Sequence, residues 1–365
     1  MKEMYLDNAA TTPVYPESVR EMEKVMLKSY GNPSSIHNKG EEAFKLISDA
    51  RKKIAGDINC KPEEIIFTSG ATESNSLALS FKSKKKKIFV SSIEHPSVME
   101  NAFKLEVRGY EIIKIPVDNL GIIDFNFLEK MIDSNTFLVS VMHVNNIFGT
   151  IQDIGRIGKL CRKRGALFHT DAVQSFGKLK IDIQEMCVDM LSASAHKIGG
   201  PKGTGFLYMR TGITLEPIIV GSGQERGMRS GTENVPGIVG FAKALEMQKK
   251  VNGNKVEKLR NNLILGLEEI GGKINGDRKK RIWNNVHVSF SGRDNEGIVL
   301  ALSLKGIYVS TGSACESKKT KEDYILKAIG LNKGEIDSGI RITLGKDTTE
   351  KDIKRLLKEI KNLLR

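Results

Sequence analysis

No run of about 18 uninterrupted apolar residues occurs in this chain of 365 residues, so no membrane-spanning helix is expected. The opening "MKEMYLDNAATTP" has no apolar signal core, which leads to the expectation of a cytoplasmic protein. Cysteine is sparse. Cys60, Cys161, Cys187 and Cys315 lie far apart with no CxxC pair, which argues against a zinc knuckle or a disulfide scaffold. Internal repeats and low-complexity linkers are also lacking. Positive charge is abundant: the formal net charge is +13, fed by lysine runs such as "KSKKKK" over 82–87. That surplus suits a solvated lysine-rich surface, or attraction to nucleic acid or an acidic protein. An apolar content of 39% and a charged content of 28% fit a soluble globular protein. The length suggests about two domains.

The middle of the chain alternates two kinds of segment. Short runs rich in Val, Ile, Phe and Leu read as buried strands: 64–69, 87–92, 136–144, 166–172, 189–195 and 203–209. Between them lie helix candidates such as 95–109 and 153–165, the latter with Asp153 placed to cap it and Gly165 to end it. This alternation predicts an α/β fold whose mostly parallel sheet is covered on both faces. The pattern changes after about residue 250. A helix candidate over 256–272 is followed by interleaved short strands and helices. The last stretch repeats Ile353, Leu356, Leu357, Ile360, Leu363 and Leu364 at helical spacing. We expect a large domain over 14–250. A smaller α+β domain would be built from 1–13 and 251–365, with the first dozen residues packing there or lining the cleft.

Ligands of such sheets gather at the carboxyl ends of the strands, and polar residues cluster there in this sequence. "FTSGATES" runs from a strand through Gly70 into a helix start, where backbone N–H groups and Thr72 suit an anion. His95 follows the next strand. Asn145 and Asn146 follow another, Asp171 and Gln174 a third, and Ser194, His196 and Lys197 a fourth. Any one of these has a plain structural reading: a surface lysine before a turn, a helix-capping aspartate. Together they suit pyridoxal phosphate, which needs a lysine for its Schiff base, an acid facing its ring nitrogen and several donors for its phosphate. Lys197, Asp171, and the set Thr72, Ser194 and His196 fill those roles.

The stretches "YLDNAATTP", "GNPSSIH", "FTSGATES", "EHPSV", "HVNN", "DAVQ", "AHKIGGPKG", "GQERGMRSGTENVPG", "STGSAC" and "IRITLG" span residues 5 to 345 in order. With them the chain resembles a cysteine desulfurase of the NifS/IscS type, within the class V aminotransferase-like family of fold-type I enzymes. The resemblance implies a set of roles. Lys197 would carry the cofactor, Asp171 would pair with its ring nitrogen, and Gln174 would bond its phenolic oxygen, with Asn146 beside it. His95 would stack on the ring and assist proton transfers. Ala71, Thr72, Ser194 and His196 would hold the phosphate, and Thr232 would reach the cofactor of the other subunit in a homodimer. Arg341 would grip the substrate carboxylate, with Asn146 nearby. Cys315, on a loop of small and charged residues, would take sulfur from L-cysteine as a persulfide and release L-alanine. No resident metal is implied, although Cys315 could transiently ligate an iron–sulfur cluster.

The resemblance further implies delivery of sulfur to iron–sulfur cluster assembly or tRNA thiolation. The recipient would be an acidic acceptor protein drawn to Lys318, Lys319 and Lys321, with no direct nucleic-acid or membrane partner. A selenocysteine lyase, or another class V aminotransferase, is the alternative on the same fold. Two departures stand out: Ile147 replaces the family's acid, with a change in the cleft's polarity or in its neighbour's orientation as the expected effect, and Ala195 replaces a glycine. The chain also stops where longer members carry a tail that docks a scaffold protein, so that docking is not expected to follow the family's pattern.

Overall fold

The computed structural model describes residues 3–311 and 323–365. In chain order the strands are β1 (Met4–Tyr5), β2 (Ile65–Thr68), β3 (Lys87–Ser91), β4 (Glu111–Ile115), β5 (Thr136–Ser140), β6 (Leu167–Asp171), β7 (Met190–Ser194), β8 (Gly205–Met209), β9 (Lys273–Asn275), β10 (Asn285–Ser289), β11 (Ile307–Tyr308) and β12 (Gly339–Thr343). Seven of them form one sheet in the order β2-β8-β7-β6-β5-β3-β4. Here β8 runs antiparallel to both neighbours, and the other pairs are parallel. The expected α/β architecture with a mostly parallel sheet is therefore what the chain adopts.

The apolar runs explain the burial. Successive side chains of a strand point to opposite faces. Phe67, Phe89, Val139, Leu191 and Phe206 join one apolar cluster. Their chain neighbours Ile66, Ile88, Leu138, Met190 and Leu207 join the cluster on the other face. Both faces are covered, so polar–apolar alternation disappears from the sequence and a continuous apolar run replaces it.

The later part of the chain forms a three-stranded antiparallel sheet, β12-β10-β9, while β1 pairs with β11. Met4 and Leu6 share an apolar cluster with β10, β12 and helices 253–269 and 350–363. The N-terminal segment thus crosses to the C-terminal part. The last helix is capped by Thr349, and it buries Ile353, Leu356 and Ile360, the core of the predicted stripe. It also begins and ends close to where the periodicity placed it.

Ile147 does not face the cleft. It is fully buried with Ile93, Met142 and Phe148 against Ile325, Leu326 and Ile329 of the segment that begins with helix 323–328. An acid there would lose its hydration without gaining a partner, which accounts for the apolar residue at this position in this packing. The expected effect on cleft polarity is corrected accordingly: the residue packs a helix. Ile147→Ala should cost about 2–4 kcal/mol, as large-to-small changes in a well-packed cluster do. The denaturation midpoint of the purified variant reads this directly. An unchanged midpoint would mean that the cluster is not part of the cooperative unit.

Candidate active site

The carboxyl ends of β2, β3, β5, β6 and β7 share one sheet edge, since β8 alone is reversed. A cleft of about 680 Å³ opens there. Ala71, Thr72, His95, Asn146, Asp171, Gln174, Ser194, His196, Lys197 and Arg341 all line it. Thr232 does not: it is solvent-exposed on the stretch before helix 235–248. Cys315, with Lys318, Lys319 and Lys321, lies outside the described residues. Among those residues no group of three or more His, Cys, Asp and Glu side chains is arranged to hold a metal ion.

Local chemistry places each side chain. β2 leads into Gly70, whose φ of 155° is one that L side chains rarely adopt. Helix 71–78 then starts at once, and its first residues, Ala71 and Thr72, line the cleft. β3 leads through Glu94 to His95, which caps helix 96–107: its Nδ1 accepts from Ser97 N at 3.1 Å and lies 2.8 Å from Ser97 Oγ. β6 ends on Asp171 itself. Its carboxylate accepts from Val173 N at 3.0 Å and from Asn75 Nδ2 at 2.8 Å, with lone pairs to spare for a further donor. β7 ends at Ser194, and one 3-10 turn over 195–197 turns His196 and Lys197 into the cleft. Lys197 Nζ donates to Ala9 O at 2.6 Å and Ala10 O at 2.7 Å. Gln174 Nε2 donates to Ala9 O at 3.0 Å, so the N-terminal segment forms one wall. The same segment reaches Arg341: its Nη2 meets Asp7 Oδ1 at 2.9 Å and its Nη1 donates to Asn146 O at 3.2 Å.

Burial sets the protonation states. His196 is pushed down to about 4 by burial, then by the charges of Lys197, Lys202 and Lys178, so it meets the cleft as a neutral ring. Glu94 is raised well above the usual carboxylate range. Burial is the largest cause, opposed by the Met142 N–H and reinforced by Asp171. Lys178 Nζ is buried with no hydrogen-bond partner among the described residues, and burial with the nearby Lys197 charge brings it down to about 7. His143 and His169 are held at about 4 by burial, and His287 at about 3 by burial with Arg281 and Arg341 adding.

These three histidines carry a stability prediction. Their folded values lie below the ordinary 6.5, so as pH falls the unfolded chain takes up protons first. Stability present above about 6.5 is lost as pH falls towards 4 to 3, by up to about 1.4 kcal/mol per pH unit for each ring. The urea midpoint should drop across that window, and His169→Asn should make the drop shallower. A wild-type midpoint that stayed flat from about pH 6.5 to 4 would contradict the burial account.

Asn75, Ser97, Glu94, Asp7 and Lys178 are absent from the sequence reading. Asn75 sits on the helix after a recognised motif and Ser97 two residues beyond His95. Neither spacing announces that both side chains turn inward.

Comparison with known proteins identifies the family. A profile of the aminotransferase class-V family matches residues 4–356. The cysteine desulfurase IscS 1 of Archaeoglobus fulgidus is 44% identical, over 99% of this chain and 96% of that protein. Among solved structures, a NifS-like protein superposes with a TM-score of 0.94 at 39% identity, covering 100% of this chain and 99% of its own. SspA, solved in complex with cysteine, gives a TM-score of 0.85 at 36% identity, covering 95% of this chain and 100% of its own. This chain belongs to the aminotransferase class-V family, and within it to the cysteine desulfurases.

Proposed function

We propose that this cysteine desulfurase works with pyridoxal phosphate in the cleft at the strand ends. It converts L-cysteine to L-alanine and keeps the sulfur on Cys315. The observation that carries this is the meeting, in one cleft, of Lys197, the buried acid Asp171 and the fork of Arg341. The residues present fit the cofactor. Ala71, Thr72, Ser194 and the neutral His196 are donors for its phosphate. Asp171 has acceptor capacity left for a ring N–H, and the buried Asn146 Oδ1 has no partner among the described residues. Lys197 would hold it covalently through Nζ. When bound, pyridoxal phosphate supplies an electron sink for the bonds of an attached amino acid.

The chain's own residues supply the rest. Arg341, already oriented by Asp7 and the Asn146 carbonyl, receives the substrate carboxylate. Lys197 Nζ would move protons at the substrate. The Cys315 thiolate attacks the sulfur of cysteine: the substrate's carbon–sulfur bond breaks, a sulfur–sulfur bond forms on Cys315, and a proton replaces sulfur on the departing alanine. The balance closes without an external oxidant or reductant.

This reading includes a homodimer. The exposure of Thr232, away from its own cleft, supports its serving the neighbouring subunit's cofactor. It also includes a large unit over 14–250 and a small one from 1–13 and 251–365, which the shared cluster of Met4 and Leu6 with the C-terminal helices supports. The acceptor would be an acidic protein of iron–sulfur assembly or tRNA thiolation, attracted by a chain of +13. A cytoplasmic setting is supported by the free thiols of Cys60, Cys161 and Cys187. The direct test is to supply L-cysteine and a thiol reductant to the holoenzyme; alanine and sulfide should appear in equal amounts.

Arg341→Lys keeps the charge and loses the fork. Its KM for cysteine should rise about ten- to hundredfold, with a smaller change in kcat, as lost charge-assisted hydrogen bonds would give. Steady-state kinetics decide it. An unchanged KM would hand the carboxylate to another cation of the cleft such as Lys202.

A further inference from the structure

We propose that Asn75 and Ser97 are positioning residues that keep the ring proton of His95 on Nε2, so that His95 enters the reaction as a hydrogen-bond donor and not as a base. This inference rests on the reading of the cleft as the cofactor site. The geometry is a continuous chain of side chains. Asn75 is fully buried, and its Nδ2 donates to Asp171 Oδ2 at 2.8 Å and to Ser97 Oγ at 2.8 Å. Asp171, as a carboxylate, only accepts, so the amide must turn its NH₂ towards it. Both amide hydrogens are thereby used, one on each partner. Ser97 Oγ, having accepted from Asn75, has its own hydrogen left for His95 Nδ1 at 2.8 Å. Ser97 N–H points at the same nitrogen from 3.1 Å.

Two donors aimed at Nδ1 require a lone pair there. A proton on Nδ1 would face the Ser97 N–H and break that bond. Which ring nitrogen carries the proton is set by the partner of the other, and here that partner is a serine held in donor orientation by Asn75. The acid proposed to face the cofactor's ring nitrogen and the histidine proposed to stack on the ring are joined by two side chains that belong to neither role. Lys197 Nζ is then the group left to accept protons in the cleft.

The experiment uses histidine-labelled holoenzyme and long-range proton–nitrogen correlation spectra. His95 is one of six histidines, and its signals are assigned by their loss in His95→Gln. Wild type should show an unprotonated Nδ1 and a protonated Nε2. In Ser97→Ala the Nδ1 signal should move, and kcat should fall about fivefold at nearly unchanged KM, the loss expected for one neutral hydrogen bond. Ser97→Thr, which keeps the hydroxyl, should restore both. Asn75→Ala should move the same signal by a smaller amount, and it carries the test if Ser97→Ala fails to fold. A protonated Nδ1 in wild type would overturn the proposal. So would Nδ1 signals that stay in place in both alanine variants. The predicted spectrum from an enzyme that released no alanine from cysteine would instead overturn the desulfurase reading and leave the tautomer standing.

Discussion

Lys197→Ala should hold no cofactor through a borohydride-reducible link, and its turnover of cysteine should fall by at least about a thousandfold. The expectation comes from placement. β7 is buried along its whole length and ends at Ser194, and the turn over 195–197 delivers Lys197 into the cleft that Asp171 also lines. The control is built into the fold: Lys178 and Lys202 lie near enough to press on His196. Lys178, brought down to about 7 chiefly by burial and with no hydrogen-bond partner among the described residues, is one candidate nucleophile, and Lys202, which lines the cleft, is the other. A reducible link that persisted in Lys197→Ala would therefore transfer the anchor role to one of these two.

The second large effect belongs to Cys315→Ala. The variant should bind cofactor and cysteine as wild type does, because Asp171, Gln174, Arg341 and the helix start at Ala71 are untouched. It should release sulfide at less than about a hundredth of the wild-type rate, because the attacking thiolate is gone. Two of the described cysteines offer poor replacements. Cys161 is fully buried, with burial pushing its thiol far up, and Cys60 is pushed up to about 12, chiefly by burial. Sulfide release at the wild-type rate would remove Cys315 from the chemistry. Tight cysteine binding without release would localise the defect to the transfer step.

Much of this was legible in the residues, for a physical reason. A parallel sheet buried on both faces needs continuous apolar runs, and those runs locate β2, β3, β5, β6, β7 and β8 to within a few residues. The longest misreading is at 136–144, where β5 stops at Ser140. Val141, Met142 and Val144 are apolar because the following loop is itself buried, not because the strand continues. β4 escaped notice because it is the edge strand: Glu111 and Lys114 are exposed and interrupt the apolar pattern. The reversal of β8 is equally silent, since a strand buried on both sides reads alike in either direction. In the cleft, residues immediately after strands could be found by position. Asn75, Ser97 and Asp7 could not, because their contacts join elements distant in sequence: Asn75 to Asp171 and Asp7 to Arg341.

The most direct test of sulfur retention on Cys315 is a mass measurement after one turnover without reductant. Holoenzyme is mixed with sulfur-labelled L-cysteine, quenched with an alkylating agent and digested. The account predicts that the peptide containing Cys315 gains one labelled sulfur atom per alanine formed, and that the peptides of Cys60, Cys161 and Cys187 gain none. Alanine formed in full with no label on Cys315 would contradict it.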